Sequence, residues 1–132
     1  MLERAMLRRQ YRFHGHGGLK YLYKNGRTAR SRSLSLRYVE NKRRPHSRVT
    51  VVVSKKVSKS AVVRNRIRRR VYETVRLHWR AITPNHDMVF TVHSAEIATL
   101  PALDVQDMVL DVLHRARLYR TEAISGILEN SL

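Results

Sequence analysis

Eight lysine and arginine side chains fall between Lys55 and Arg70, in a stretch that reads SKKVSKSAVVRNRIRRR from Ser54, and the next acid is Glu73. The chemistry open to such a group is electrostatic. Each cation docked on a phosphate releases a condensed counterion and adds salt-sensitive affinity. A guanidinium also offers a planar fork for two phosphate oxygens and a flat face for an unpaired base. An ordinary solvated helix mixes acids and bases at i,i+4 to offset repulsion. A field of one sign is instead the footprint of a nucleic-acid site. Arg64-Asn65-Arg66 followed by Ile67-Arg68-Arg69-Arg70 forms the centre of this cluster. Lys55 and Lys56 extend it to the entry of the helix, where backbone N–H groups also favour a phosphate.

The other chemistry-bearing residues form weaker constellations. His14 and His16 sit in a glycine-rich segment without a cysteine or nearby carboxylate, an incomplete metal site. Asp104, Asp107 and Asp111 share a helical face, and two of them fall near a helix N-terminus, where negative charge is stabilising. A solvated face is the simpler reading. The chain has no cysteine, which removes disulfides, thiolate zinc sites and cysteine nucleophiles. No spacing of serine, histidine and acid suggests a nucleophilic centre. Tyr72 and Trp79 read as packing residues.

The elements that must position the basic cluster can be read from periodicity. Leu19–Lys24 reads as a short helix with Leu19, Leu22 and Tyr23 on one face, ended by Asn25-Gly26; if extended instead, Leu19, Tyr21 and Tyr23 would align. Ser33–Val39 alternates Leu34, Leu36 and Tyr38 against Ser35 and Arg37, the period of a half-buried strand. Glu40–His46 is a loop, and Arg48–Ser54 is β-branched almost throughout, as in a central strand. Ser58 and Ser60 are N-cap candidates for a helix running to about Ile82, stopped by Thr83-Pro84. Its apolar stripe is Val63, Ile67, Val71 and Val75. Asp87–His93 is another strand. Leu103–Leu118 is an amphipathic helix with Val105, Met108, Val109, Val112, Leu113 and Ala116 inward.

Composition agrees with a single basic RNA-binding domain. At 132 residues and 42% apolar content, one modest core is expected. The formal charge is +17, and residues 1 to 86 carry 24 of the 27 Lys+Arg but only Glu3, Glu40 and Glu73 as acids. Such asymmetry implies one basic surface. Arginine outnumbers lysine 21 to 6, which suits unpaired RNA. No apolar run approaches a membrane span, and residues 1 to 13 lack a secretory apolar core. The expectation is a cytoplasmic protein with no membrane partner, divided into a basic N-terminal arm (1–18), a folded domain (19–120) and a C-terminal tail (121–132).

SKKVSKSAVVRNRIRRRVYETVR resembles the arginine-rich signature of the bacterial ribonuclease P protein family. Leu19–Gly26, Arg32 with Leu34 and Leu36, the Val51–Lys56 strand end and Asp87–Val92 follow in the family's order. The resemblance implies a small α+β sandwich, ordered α-β-β-β-α-β-α, with a left-handed crossover of the kind known from a ribosomal protein domain. Generic expectation would favour a right-handed connection. It also implies an accessory subunit of an endoribonuclease whose RNA cuts the 5′ leader from precursor tRNA with magnesium ions. The partners would be the catalytic RNA and precursor tRNA, with magnesium held through RNA and substrate and no catalytic residue on the protein.

By the same likeness, Lys55, Lys56, Arg64, Asn65, Arg66, Arg68 and Arg69 would face RNA, while Leu19, Tyr23, Arg32 and Leu36 would line a cleft for the single-stranded leader. Tyr23 falls on a family cleft aromatic and would stack on a base. Leu19 stands where the family commonly has phenylalanine, with Phe13 and Tyr21 as replacement platforms. Ser58-Lys59-Ser60 occupies the place of a shorter glycine-containing turn. The rival readings are a structural ribosome-associated RNA-binding protein, since similar folds and charges serve both roles, and a DNA-binding protein with its basic helix in a major groove.

Overall fold

The computed structural model describes residues 16–120. The helix α1 (His16–Asn25) leads into β1 (Arg27–Arg30), β2 (Leu34–Glu40) and β3 (Arg48–Val52). The long helix α2 (Ala61–Leu77), β4 (His86–Val92) and α3 (Ala102–Arg115) follow. The strands form one sheet in the order β1-β2-β4-β3. Both β1–β2 and β2–β4 are antiparallel, whereas β3 and β4 run parallel through the α2 crossover. This is the expected mixed α+β domain with the expected order of elements.

Alternation along the strands divides the sheet into two faces. Leu34, Leu36, Val49, Val51, Met88, Phe90 and Val92 point into the main core. There they meet Ile67, Val71 and Val75 of α2 and Val105, Val109, Val112 and Leu113 of α3. The opposite face carries a smaller cluster, in which Leu22 of α1 packs on Val89, flanked by Leu19 and Val39. Among the described residues, one face is thus sealed by two helices and the other is covered locally by α1.

Several boundaries differ from the periodic reading. The first helix starts at His16, so the expected arm boundary at residue 18 falls inside α1, and Gly17 and Gly18 are helical. Burial of Leu22 against Val89 outweighs a glycine penalty of about 1 kcal/mol per residue. Gly26 ends the helix as expected, because a Cβ there would meet Leu22 O at 2.5 Å and Tyr38 O at 3.0 Å. The short β1 has only Ala29 buried, too little pattern to be seen as a strand, although the family likeness implied three strands before the long helix.

The basic helix ends at Leu77 rather than Ile82, and Trp79–Ala81 turn more tightly as a 3-10 helix. That turn brings Ile82 into a bridge with Tyr119. The last helix ends at Arg115, short of Leu118. Arg117, at φ 59, takes the left-handed position that glycine usually fills. The Leu118 N–H donates to Leu113 O (3.0 Å) and the Arg117 N–H to His114 O (2.9 Å), the paired bonds of a Schellman motif. With no glycine at that position, the stop leaves no ordinary sequence signal. Residues 1–15 of the expected arm, Phe13 and His14 among them, and the expected tail from residue 121 lie outside the described residues.

Candidate nucleic-acid interface

The basic cluster is built on a strand end, a turn and a capped helix. β3 stops at Val52, and the Val57 N–H donates to Ser54 O at 3.0 Å to close the turn that exposes Lys55 and Lys56. Ser60 caps α2, its Oγ accepting from the Val63 N–H at 3.3 Å, and Ser58 Oγ accepts from the Ser60 N–H at 3.2 Å. The two serines predicted as cap candidates therefore act in series. No acid stands in the first turn of α2, so the positive end of the helix dipole and the lysines point their fields the same way.

Along α2 the arginines are displayed by an apolar stripe that cannot turn outward. Ile67, Val71 and Val75 are fully buried, which leaves Asn65, Arg66 and Arg69 exposed and Arg64 and Arg68 half-buried. Arg64 Nη1 donates to Ser58 O at 2.9 Å, tying the helix back to its entry turn. Arg68 donates to the Asn65 side chain. Glu73 does not neutralise the cluster, because Arg76 holds its carboxylate with Nε at 3.0 Å. Arg70, grouped with the others in the sequence, donates to Ile97 O at 2.7 Å and anchors the 3-10 turn Ala95–Ala98 to α2.

Arg32 belongs to the same end of the sheet. Leu34 pairs with Val92 and Val52 with Thr91, so the residues before β2 lie near those after β3. Arg32 Nη2 donates to the Glu96 carboxylate at 2.8 Å, and Ser33 Oγ donates to its other oxygen. The Ser33 hydroxyl, reinforced by Arg32, holds the Glu96 carboxyl below its ordinary range.

The predicted cleft residues separate. Tyr23 is half exposed on α1, and Leu19 lies partly buried beside Leu22. Leu36, expected in the cleft, is instead fully buried on the face under α2 and α3, so it is a core residue and does not line the α1 face. Strand alternation gives Ser35 and Arg37 to that face instead. Arg37 was not singled out in the sequence. It clamps the end of α1, with Nε donating to Leu22 O at 3.2 Å, Nη1 to Thr28 Oγ1 at 2.9 Å and Nη2 to Tyr23 O. A cation at a helix C-terminus satisfies carbonyls that have no partner within the helix. It fixes the height of Tyr23 above the sheet. Its signal was an arginine placed by strand period beside a helix end, which only the tertiary arrangement reveals.

Other groups have structural partners. Asp104 and Asp107 are exposed, in keeping with the solvated-face reading, whereas Asp111 is partly buried and accepts from Ser31 Oγ and from Arg115 Nε, each at 3.0 Å. Tyr72 Oη accepts from the Val51 N–H at 3.2 Å and covers the β3 edge. Buried Asp87 holds Arg48 through two bonds of 2.9 and 3.0 Å and accepts from Asn41 Nδ2 at 3.1 Å. Among the described residues no helix is long and apolar enough to cross a membrane, and no three His, Asp or Glu are arranged to hold a metal ion. His14 lies outside the described residues.

Comparison with known proteins bears on the family and the fold. The sequence pattern of the Ribonuclease P family matches residues 7–117. A Ribonuclease P protein component of Roseiflexus castenholzii is 39% identical over 110 residues, covering 83% of this chain and 88% of the relative. One from Chloroflexus aurantiacus is 38% identical over 112 residues, covering 85% and 82%. The solved Staphylococcus aureus RNase P protein superposes with a TM-score of 0.74 at 27% identity, over 83% of this chain and 97% of that one. The Thermotoga maritima RNase P protein shares the fold, with a TM-score of 0.71 at 23% identity over 79% and 96%.

Proposed function

Since the chain belongs to the bacterial ribonuclease P protein family, we propose that it binds the catalytic RNA through α2 and its entry turn, and the 5′ leader of precursor tRNA through the α1 face of the sheet. The observation that carries this reading is the one-signed surface of α2: exposed Asn65, Arg66 and Arg69, with Lys55 and Lys56 at its entry, on a helix fixed by a buried stripe. A rigid array of cations gains counterion-release affinity without first ordering itself.

The chain's own residues bind and orient. Arg66, Arg69, Lys55 and Lys56 neutralise phosphates where two RNA strands approach one another. Arg64 and Arg68, braced by Ser58 and Asn65, present their guanidinium edges in fixed directions. Tyr23, held by the Arg37 clamp, offers a ring to an unpaired leader base. Magnesium ions carried by the RNA subunit and substrate supply water activation and leaving-oxygen stabilisation. Lower phosphate repulsion at the junction favours their occupancy, so the protein's effect is greatest when magnesium is scarce. Catalysis resides in the RNA, and the holoenzyme is a cytoplasmic tRNA-processing ribonucleoprotein.

The test is reconstitution with the cognate RNA at low magnesium. Addition of the protein should raise precursor-tRNA cleavage severalfold, and the gain should shrink as magnesium is raised. Cleavage that is the same with and without protein would refute the assignment.

A further inference from the structure

The sequence offered Tyr21 as a replacement for the platform lost at Leu19, but the structure puts it elsewhere. Successive residues of a helix are rotated by about 100°, and Leu22 faces the sheet on Val89. Tyr21 and Tyr23 therefore leave α1 on opposite flanks. Both rings are accessible, at 56% and 50% exposure. Tyr21 lines an open cleft of about 420 Å³ whose other walls are Glu40, Asn41, Lys42 and Arg43. This cleft lies at the Glu40 end of β2, the opposite end of the sheet from Lys55, Lys56 and Arg32.

The basic wall of the cleft is constructed rather than loose. The Asn41 N–H donates to Asn85 O at 2.6 Å, and the Arg44 N–H to Asn41 O at 3.2 Å. Asn41 Oδ1 accepts from the Arg43 N–H at 3.2 Å, while its Nδ2 reaches the buried Asp87 carboxylate at 3.1 Å. Asn85, held left-handed at φ 64, donates its side-chain amide to Arg44 O. One asparagine thus fastens the turn carrying Lys42 and Arg43 to the Arg48–Asp87 pair in the sheet. The local acid, Glu40, reaches Lys42 only across an exposed 3.9 Å pair. An accessible ring that lines one cleft with two cations combines a stacking platform with groups suited to a phosphate.

We infer that the Tyr21 cleft binds one unpaired nucleotide of the precursor leader, upstream of the nucleotide at Tyr23, with its base on the Tyr21 ring and its phosphate on Lys42 and Arg43. The inference rests on the subunit role proposed above. A strand leaving the Tyr23 flank crosses α1 to reach this cleft, so only leaders beyond a threshold length engage it.

Precursors with leaders lengthened one nucleotide at a time are titrated with holoenzyme reconstituted from the parent protein, Tyr21→Ala, Tyr21→Phe, or the Lys42→Ala and Arg43→Ala pair. The parent should show a step in affinity at one leader length. Tyr21→Ala should reduce that step by about fivefold, the double variant should reduce it and its salt dependence, and Tyr21→Phe should retain it. An undiminished step in Tyr21→Ala and the double variant overturns the inference while leaving the subunit role intact. A parent that binds no precursor removes both. Loss that is uniform over leader length and accompanied by weaker RNA-subunit binding would put the RNA subunit in the cleft and refute the leader assignment.

Discussion

α2 and α3 lie on the same face of the sheet and bury comparable apolar stripes, yet their outer surfaces obey opposite rules. α3 begins with Asp104 in its first turn and ends with His114 and Arg115 in its last, the arrangement that a helix dipole favours. α2 begins without an acid, behind Lys55, Lys56 and Lys59, and continues through Arg64, Arg66, Arg68, Arg69 and Arg70. Its inner surface serves the fold as that of α3 does. Its outer surface opposes local electrostatics at nearly every position, which is expected where an anionic partner rather than folding sets the residue types.

The comparison can be broken first on the inner surfaces. Ile67→Ala in α2 and Leu113→Ala in α3 each remove a fully buried side chain, and each should cost about 2–5 kcal/mol in denaturant unfolding. A much smaller cost for Ile67 would mean that α2 is not fixed by its stripe. The outer surfaces should then diverge. Lys59→Glu, at the entry of α2, should gain about 0.3–1 kcal/mol of stability while weakening RNA binding, whereas Asp104→Lys in α3 should lose a similar amount and leave RNA affinity near parent. Equal signs in the two helices would remove the contrast.

How much of this was visible beforehand follows the same division. The stripes of α2 and α3 and the alternation of Leu34 and Leu36 with Ser35 and Arg37 are legible because the main core draws its apolar residues from one side of each element. β1 was invisible to that pattern, having one buried residue in four. The ends of α2 and α3 were misplaced because tertiary bonds to residues 118–120 set them, and because arginine rather than glycine takes the left-handed position after α3. The cationic cluster was plain from charge alone. Leu36 belongs to the core face and not to the cleft, because a family likeness in sequence order carries no strand parity. The opposing flank of Tyr21 and the Arg37 clamp needed the packing of α1 on Val89.

A finer test concerns the acid brought to the basic end of the sheet. Glu96 has its carboxyl depressed by the Ser33 hydroxyl and by Arg32. A depressed folded-state value adds stability above the ordinary carboxylate range, and that increment fades as pH falls through the folded value. Melting temperatures of parent and Glu96→Gln should differ most near neutrality and converge in acid. A gap independent of pH would show that the pair contributes through packing alone.

The most direct measurement of the central claim is the salt dependence of binding to the cognate RNA subunit by the parent and by the Arg66→Ala, Arg69→Ala double variant, whose exposed side chains should leave the fold intact when removed. If α2 grips RNA phosphates, affinity should fall and the log–log salt slope should flatten by about 1.5–2. Parent-like affinity with an unchanged slope would contradict the account.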